Sequence, residues 1–391
     1  MLNNSTTPEQ VVDKMFDDLV KSRFIEMFGT SINPKYGSVK IEELVSKDIE
    51  KVAKRYDLED EINYIDISSI NKESRTIVGT TVYLVKDAPS RAQQCVCKGD
   101  ILLSNVRPNL KTLAIVTSNE DKLVCSTGFT VLRCTKSCPE YLIIAITEDH
   151  FTNKLVKKVT GSNYPAVTSK DVLKSTIPNA PFELQKQFAV FVQQVDKSKV
   201  IYKEVVSKFD DLIKSRFIEM FDKYKTNMRA LDVVCDSITA GGDKPNLVSS
   251  VKTKECPHPI YSNGETNMGL FGYTDGYIIG KPAVTISARG TIGFVAVRDA
   301  FFTPIVRLIT LIPSTNLNCI YLKYALEGSI SGNAGSSIQQ LTVPNVKNIK
   351  IPLPPFDEQT AFETFVKQID KMKTVLLSYV ISNVNKGSMN S

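Results

Sequence analysis

The residues in this chain best suited to chemistry are hydrogen-bond donors set beside glycine. They occur in SNGETNMG (Ser262 to Gly269), SARGTIG (Ser287 to Gly293), TGSNY (Thr160 to Tyr164) and AGSS (Ala334 to Ser337). Glycine lets backbone amides come close to a phosphate or a base edge, and Ser, Asn, Gln and Arg side chains donate to either. The same residues also make ordinary β-turns, so no single turn decides between the two. Metal chemistry is not expected. The eight cysteines, at 95, 97, 125, 134, 138, 235, 256 and 319, form no paired CxxC sets, and neither His150 nor His258 lies near a cysteine pair. Reduced thiols fit best.

The elements that must position these turns are visible as repeats. Phe16 to Phe28 reads FDDLVKSRFIEMF and Phe209 to Phe221 reads FDDLIKSRFIEMF, so 12 of 13 positions are identical at an offset of 193. A looser repeat at an offset of 174 aligns Gly161 to Gln185 with Gly335 to Gln359, matching Gly161/Gly335, Ser162/Ser336, Thr168/Thr342, Pro178/Pro352, Pro181/Pro355, Phe182/Phe356 and Gln185/Gln359. Two copies of a globular unit therefore end in the same proline-rich boundary.

Past each boundary, apolar residues fall at heptad spacing: Phe188, Phe191, Val195, Tyr202, Val205, Phe209 and Leu212, then Phe362, Phe365, Ile369, Met372, Leu376 and Tyr379. Each set predicts a helical packing seam. The first helix runs to about Phe221 and, at 1.5 Å per residue, spans about 60 Å. The second lacks the FDDLVKSRFIEMF segment, which stands instead at the start of the chain, so the repeat is circular. If the chain ends meet, the molecule gains an approximate two-fold axis, and its helices hold two units apart like the ends of a ruler.

The expected fold class is α+β, with two strand-rich α/β globular units separated by two long antiparallel coiled-coil helices. The expected boundaries are a helix over residues 1–29 that completes the carboxy-terminal helical region, a unit over 30–181, a central helix over 182–221, a second unit over 222–355 and a helix over 356–391. Strand-like runs are Thr76 to Val85, Asp100 to Val106, Phe129 to Cys134, Ala283 to Val297 and Pro304 to Ile312. Short helices are expected at Lys40 to Lys47, Tyr141 to Lys154 and Leu317 to Glu327. A net charge of +6 permits a polyanionic partner without requiring one. The first residues are polar and acidic rather than basic then apolar, and no stretch reaches about 18 apolar residues, so neither export nor a membrane span is expected and the cytoplasm is the expected location.

These motifs resemble the type I restriction-modification specificity (S) subunits. The resemblance rests on Phe182 to Gln185 and Phe356 to Gln359, each opening a heptad helix, and on the repeated KSRFIEMF. Within the units, Asp100 to Val116 with Ser126 to Arg133 is similar to one class of target recognition domain, and Pro259 to Val295 to another. The resemblance covers essentially the whole chain. It implies a non-catalytic, DNA-binding subunit in which each recognition domain reads one half of a bipartite double-stranded DNA site. The helices would set the gap between halves and dock two methyltransferase (M) subunits, and the assembly would recruit restriction (R) subunits. No cofactor belongs to this chain; S-adenosylmethionine, ATP and Mg would act in the partners. Leu353 to Phe356 and Asn179 to Phe182 lack the chemistry of an adenine-methyltransferase loop, and Gly280-Lys281 is followed by Pro282, with Asp275 where a phosphate-binding loop needs glycine.

On this resemblance, the base contacts are expected from Ser104, Asn105, Arg107, Ser162, Asn163 and Tyr164 in the first unit. Tyr261, Asn263, Arg289, Ser336, Ser337 and Gln339 are their counterparts in the second, because Arg pairs with guanine and Asn or Gln with adenine. Lys111, Lys157, Lys158, Lys244 and Lys281 are expected at phosphates. Two other readings stay open: a coiled-coil scaffold whose ends bind protein, and a cassette variant paired with no functional system. DNA binding by the assembled complex separates the first from a specificity subunit.

Overall fold

The computed structural model describes residues 8–72, 74–159, 165–332 and 341–387. They fall into two compact units, one built from residues 16–197 and the other from residues 8–15 and 198–386.

In the first unit, Phe16, Val20, Phe24 and Phe28 of the helix Pro8–Phe28 recur every four residues. All four are buried, as one face of an amphipathic helix should be. This stripe meets the start of the helix Phe182–Phe221. Phe24 and Phe28 lie 5.6 and 5.5 Å from Phe188, and Arg23 lies 5.9 Å from the ring of Phe191, so the two helices run antiparallel. A three-stranded sheet (Leu113–Ile115, Ile101–Ser104, Phe129–Leu132) and a four-stranded sheet (Thr81–Leu84, Glu61–Ile65, Leu123–Ser126, Ala92–Cys95) complete the unit. Leu102, Ala114, Cys125 and Phe129 share one core between the two sheets.

The second unit repeats this frame. Residues 198–221 of the central helix run antiparallel to the helix Phe356–Gly387, with Phe221 5.6 Å from Phe362 and the Lys373 ammonium 2.6 Å from Asp210. Asp13 pairs with Lys199 and Lys203. One four-stranded sheet runs in the order Cys235–Ala240, Ile309–Pro313, Ala283–Ile286, Val295–Arg298, and a three-stranded sheet joins Leu270–Thr274, His258–Tyr261 and Thr303–Pro304.

The two frames agree in detail. Phe24 stacks on Tyr141 at 5.4 Å and 28°, and Phe217 stacks on Tyr321 at 5.5 Å and 26°. Phe28 meets Tyr141 edge-on at 4.9 Å, as Phe221 meets Tyr321 at 4.8 Å. The strand pair Ser38–Lys40 with Thr176–Pro178 matches Met228–Ala230 with Lys350–Pro352. At each proline boundary a buried glutamine closes the frame. The Gln185 carbonyl oxygen accepts from the Ser137 hydroxyl and the Cys138 amide, and its amide donates to the Ala180 carbonyl. The Gln359 oxygen accepts from the Asn318 amide, and its nitrogen donates to the carbonyls of Asn316 and Pro354.

Some expectations need correction. Leu212 is 46% exposed while Ile213 is buried, because the repeated segment buries every fourth residue and drifts off the heptad. Met372 and Tyr379 are exposed as well, whereas Phe188, Phe191, Val195, Tyr202, Phe362 and Ile369 are buried. Val205, Phe209, Phe365 and Leu376 are half-buried. The amino-terminal helix does not belong wholly with the carboxy-terminal half: its repeated part, from Phe16 onward, packs in the first unit on Phe188 and Tyr141. Lys40 to Lys47 forms only the 3-10 turn Ile41–Glu43. Tyr141 to Lys154 divides into Pro139–Thr147 and Asp149–Val156, because Glu148 between them has ψ 141°. Ala283 to Val297 is a hairpin rather than one strand. The run from Pro304 breaks at Val306 and Arg307, whose φ angles are +53° and +60°.

Candidate nucleic-acid interface

In the first unit the strands Ile101–Ser104 and Leu113–Ile115 form a hairpin whose tip carries Arg107. Arg107 is exposed, with φ +50°. A left-handed backbone at a non-glycine residue costs about 1–2 kcal/mol, so the surrounding contacts must impose it. Pro108 follows, and the Arg107 amide donates to the Pro165 carbonyl at 2.8 Å. The Val167 amide donates to the Asn105 carbonyl at 3.0 Å, fastening the tip to the segment just after residue 164.

Ser104 and Asn105 do not face outward as expected. Both are buried. The Ser104 hydroxyl donates to the Val106 carbonyl, and the Asn105 carbonyl oxygen accepts from the Thr130 hydroxyl at 2.6 Å. These side chains hold the tip in place and offer no group to a base edge. Lys111 is committed too, donating to the Thr147 carbonyl at 2.8 Å and pairing with Asp149, whose carboxyl it holds below its ordinary range. Lys157 and Lys158 are exposed just past the helix Asp149–Val156, which packs on the Pro108–Leu110 turn. Arg91 is also exposed at this end of the sheets, beside Thr127, which precedes the Gly128 that accepts from the Asn105 amide.

The second unit has a matching hairpin, Ala283–Ile286 with Val295–Arg298, tipped by the exposed Arg289 beside Gly290 at φ +69°. The Leu341 amide donates to the Ala288 carbonyl at 3.4 Å, the counterpart of Val167 to Asn105. Register places three further loops at the same end. Ile286 is paired with Ile309 and Ala240 with Ile309, so residues 241–244 and 305–308 flank the tip. The turn Ser262 to Gly269 is tied in by three bonds: the Gly264 amide to the Ser287 hydroxyl at 3.0 Å, the Ala288 amide to the Asn263 carbonyl oxygen at 2.7 Å, and the Asn263 amide nitrogen to the Val306 carbonyl at 2.6 Å.

Arg289, Asn263, Tyr261 and Lys244 are therefore brought to one end of this unit. Asn263 uses both ends of its amide internally and acts as a brace, while Lys244 lies 5.4 Å from the ring of Phe271. Lys281 is not with them. It pairs with Asp236 at 3.3 Å at the opposite end of the sheet, because Ala283 and Cys235 stand at the far ends of their strands. Ser162, Asn163, Tyr164, Ser336, Ser337 and Gln339 lie outside the described residues.

Arg307 was missed. It is exposed in a left-handed conformation next to Val306, its amide donating to the Gly241 carbonyl at 2.9 Å. Its neighbours read as strand, so only the structure shows that it marks a turn. Among the described residues, no group of three or more His, Cys, Asp or Glu is placed to hold a metal, and no helix is long and apolar enough to cross a membrane.

Comparison with known proteins agrees with this geometry. The type I restriction modification DNA specificity domain matches residues 225–385. A putative type I specificity subunit of Mycoplasma pneumoniae is 27% identical over 230 residues, 57% of this chain and 61% of that one. The chain is thus similar to type I restriction-modification specificity subunits. The HindI specificity subunit of Haemophilus influenzae is 23% identical over 188 residues, 46% of this chain and 41% of its own length. These matches span less than two thirds of the curated relatives' lengths. A chain from a solved type I restriction-modification system, studied for complex assembly and conformational transition, shares the fold of this chain with a TM-score of 0.53. It is 24% identical, over 90% of this chain and 95% of that one.

Proposed function

We propose that this chain is the DNA-reading subunit of a type I restriction-modification complex, with each unit reading one half of a bipartite double-stranded site. One observation carries this reading: each unit presents an exposed arginine, Arg107 or Arg289, on a hairpin tip fastened to the segment that precedes the repeated proline boundary. Arginine on a rigid support suits bidentate pairing with guanine in the major groove, and Lys157, Lys158, Lys244 and Arg307 would add phosphate contacts that carry affinity without sequence information.

The chain itself would be non-catalytic. Two methyltransferase subunits would dock on the helical frames and supply S-adenosylmethionine chemistry, and restriction subunits would bring ATP- and Mg-dependent cleavage. The test is co-expression with the partner methyltransferase followed by genome-wide mapping of methylated adenines. A bipartite motif with an unread gap is expected. A single continuous motif, or no methylation from an active partner, would overturn the reading.

A further inference from the structure

Arg298 is 4% exposed and forms no ion pair among the described residues. Its side chain runs back along the second unit's hairpin. Nε donates to the Thr285 hydroxyl at 3.0 Å, Nη2 donates to the Met268 carbonyl at 2.6 Å, and the guanidinium carbon stands 3.9 Å from the centre of the Tyr261 ring. Burial lowers its pKa to about 10. Arg133 in the first unit provides the contrast, because its guanidinium is neutralised by the buried Asp100 through bonds of 2.9 and 2.7 Å.

A buried charge without a counter-ion is a poor way to stabilise a fold, and an apolar side chain of similar volume commonly serves as well or better. What an arginine adds is geometry, since its planar fork fixes donors and a ring-stacking face at once. Of the groups it grips, the Met268 carbonyl lies in the turn Ser262 to Gly269 and Tyr261 immediately precedes it. Asn267, Met268 and Gly269 are successively left-handed, at φ +52°, +52° and +75°. The Ser262 amide closes this turn on the Gly269 carbonyl at 2.7 Å. Two consecutive non-glycine residues in this region, Asn267 and Met268, are not held there by local preference.

We propose that Arg298 is a positioning residue for DNA recognition: by gripping the Met268 carbonyl and the Tyr261 ring, it fixes the Ser262 to Gly269 turn against the Arg289 hairpin tip in the conformation that discriminates one half-site. This rests on the DNA-reading function proposed above. Arg298→Met removes the fork and the charge while filling the volume, and Arg298→Lys keeps a cation over the ring without the fork.

Hydrogen exchange in the free full-length chain tests the clamp without DNA. In Arg298→Met the amides of residues 262–269 should exchange faster while the strands Cys235–Ala240 and Ile309–Pro313 stay protected, and Arg298→Lys should fall between. Unchanged exchange in the turn overturns the proposal. In the complex with the partner methyltransferase, discrimination at one half-site should drop roughly tenfold, with the other half and the affinity for random DNA unchanged. Unchanged discrimination, or equal loss at both halves, also overturns it. A parent complex that discriminates no half-site would instead overturn the DNA reading, and the exchange result would still decide the clamp.

Discussion

The Tyr321 hydroxyl donates to the carbonyl of Pro352 at 2.6 Å, joining the helix Cys319–Gly332 to the strand that leads into the proline boundary. Tyr141 makes the same bond to Pro178 in the first unit. Tyr321→Phe should lower stability by about 1 kcal/mol, the usual worth of one such bond. Tyr141→Phe should cost a similar amount. Urea denaturation measures both, and a loss confined to one variant would show that the two frames are not equivalent energetically.

Gln359 is fully buried, and its side-chain amide satisfies two carbonyls and one backbone amide. Gln359→Leu fills the space and leaves those backbone groups without partners, so a loss of about 1–3 kcal/mol is expected. Thermal unfolding of Gln359→Leu beside Gln185→Leu checks it, and a loss below about 0.5 kcal/mol would mean the boundary can relax and rebond.

Arg107 separates the demands of folding from those of binding. Glycine takes up its backbone conformation without strain, so Arg107→Gly should leave the unfolding midpoint equal to or above that of the parent. Affinity of the complex for its cognate site should nonetheless fall about tenfold or more. Arg107→Ala removes the same side chain and keeps the strained backbone, so it should bind as weakly and be the less stable of the two.

Burial raises the carboxyl of Glu327 above its usual range, with Asp210 adding to the rise and Lys323 and Lys214 opposing it. A raised carboxyl keeps its proton in the folded state after the unfolded chain has released it. Stability is therefore greatest below the ordinary Glu value and declines as pH rises from there through the folded pKa. Glu327→Gln should abolish that decline, so its melting temperature should exceed the parent's at pH 7 by more than at pH 4. Equal differences at both pH values would rule out burial as the cause.

The repeats make the helical frame legible in the sequence, because identical Phe-rich segments must bury the same faces. Phe188, Phe191 and Phe362 follow instead from the heptad spacing past each proline boundary. Leu212 was not assigned correctly, since a heptad count and a four-residue stripe diverge by one position there and the core holds Ile213 instead. The tip at Arg289 is legible as arginine beside glycine, whereas Arg107 is pointed to only by the family resemblance. Lys281 was misplaced because strand register, which puts it at the far end of the sheet, depends on pairings between residues distant in sequence. Arg298 gave no signal at all: its surroundings come from Thr285, Met268 and Tyr261, on three separate segments.

Val306 and Arg307 lead to a practical warning for redesign. Left-handed backbone at a β-branched valine and at the following arginine is what an optimiser scoring stability alone would erase first, writing glycine at both. The product would be a sturdier protein whose loops could sample many arrangements. Thermostabilised versions of this chain should therefore leave 306 and 307 untouched and draw their gains from positions away from both the hairpin tips and the helical frames.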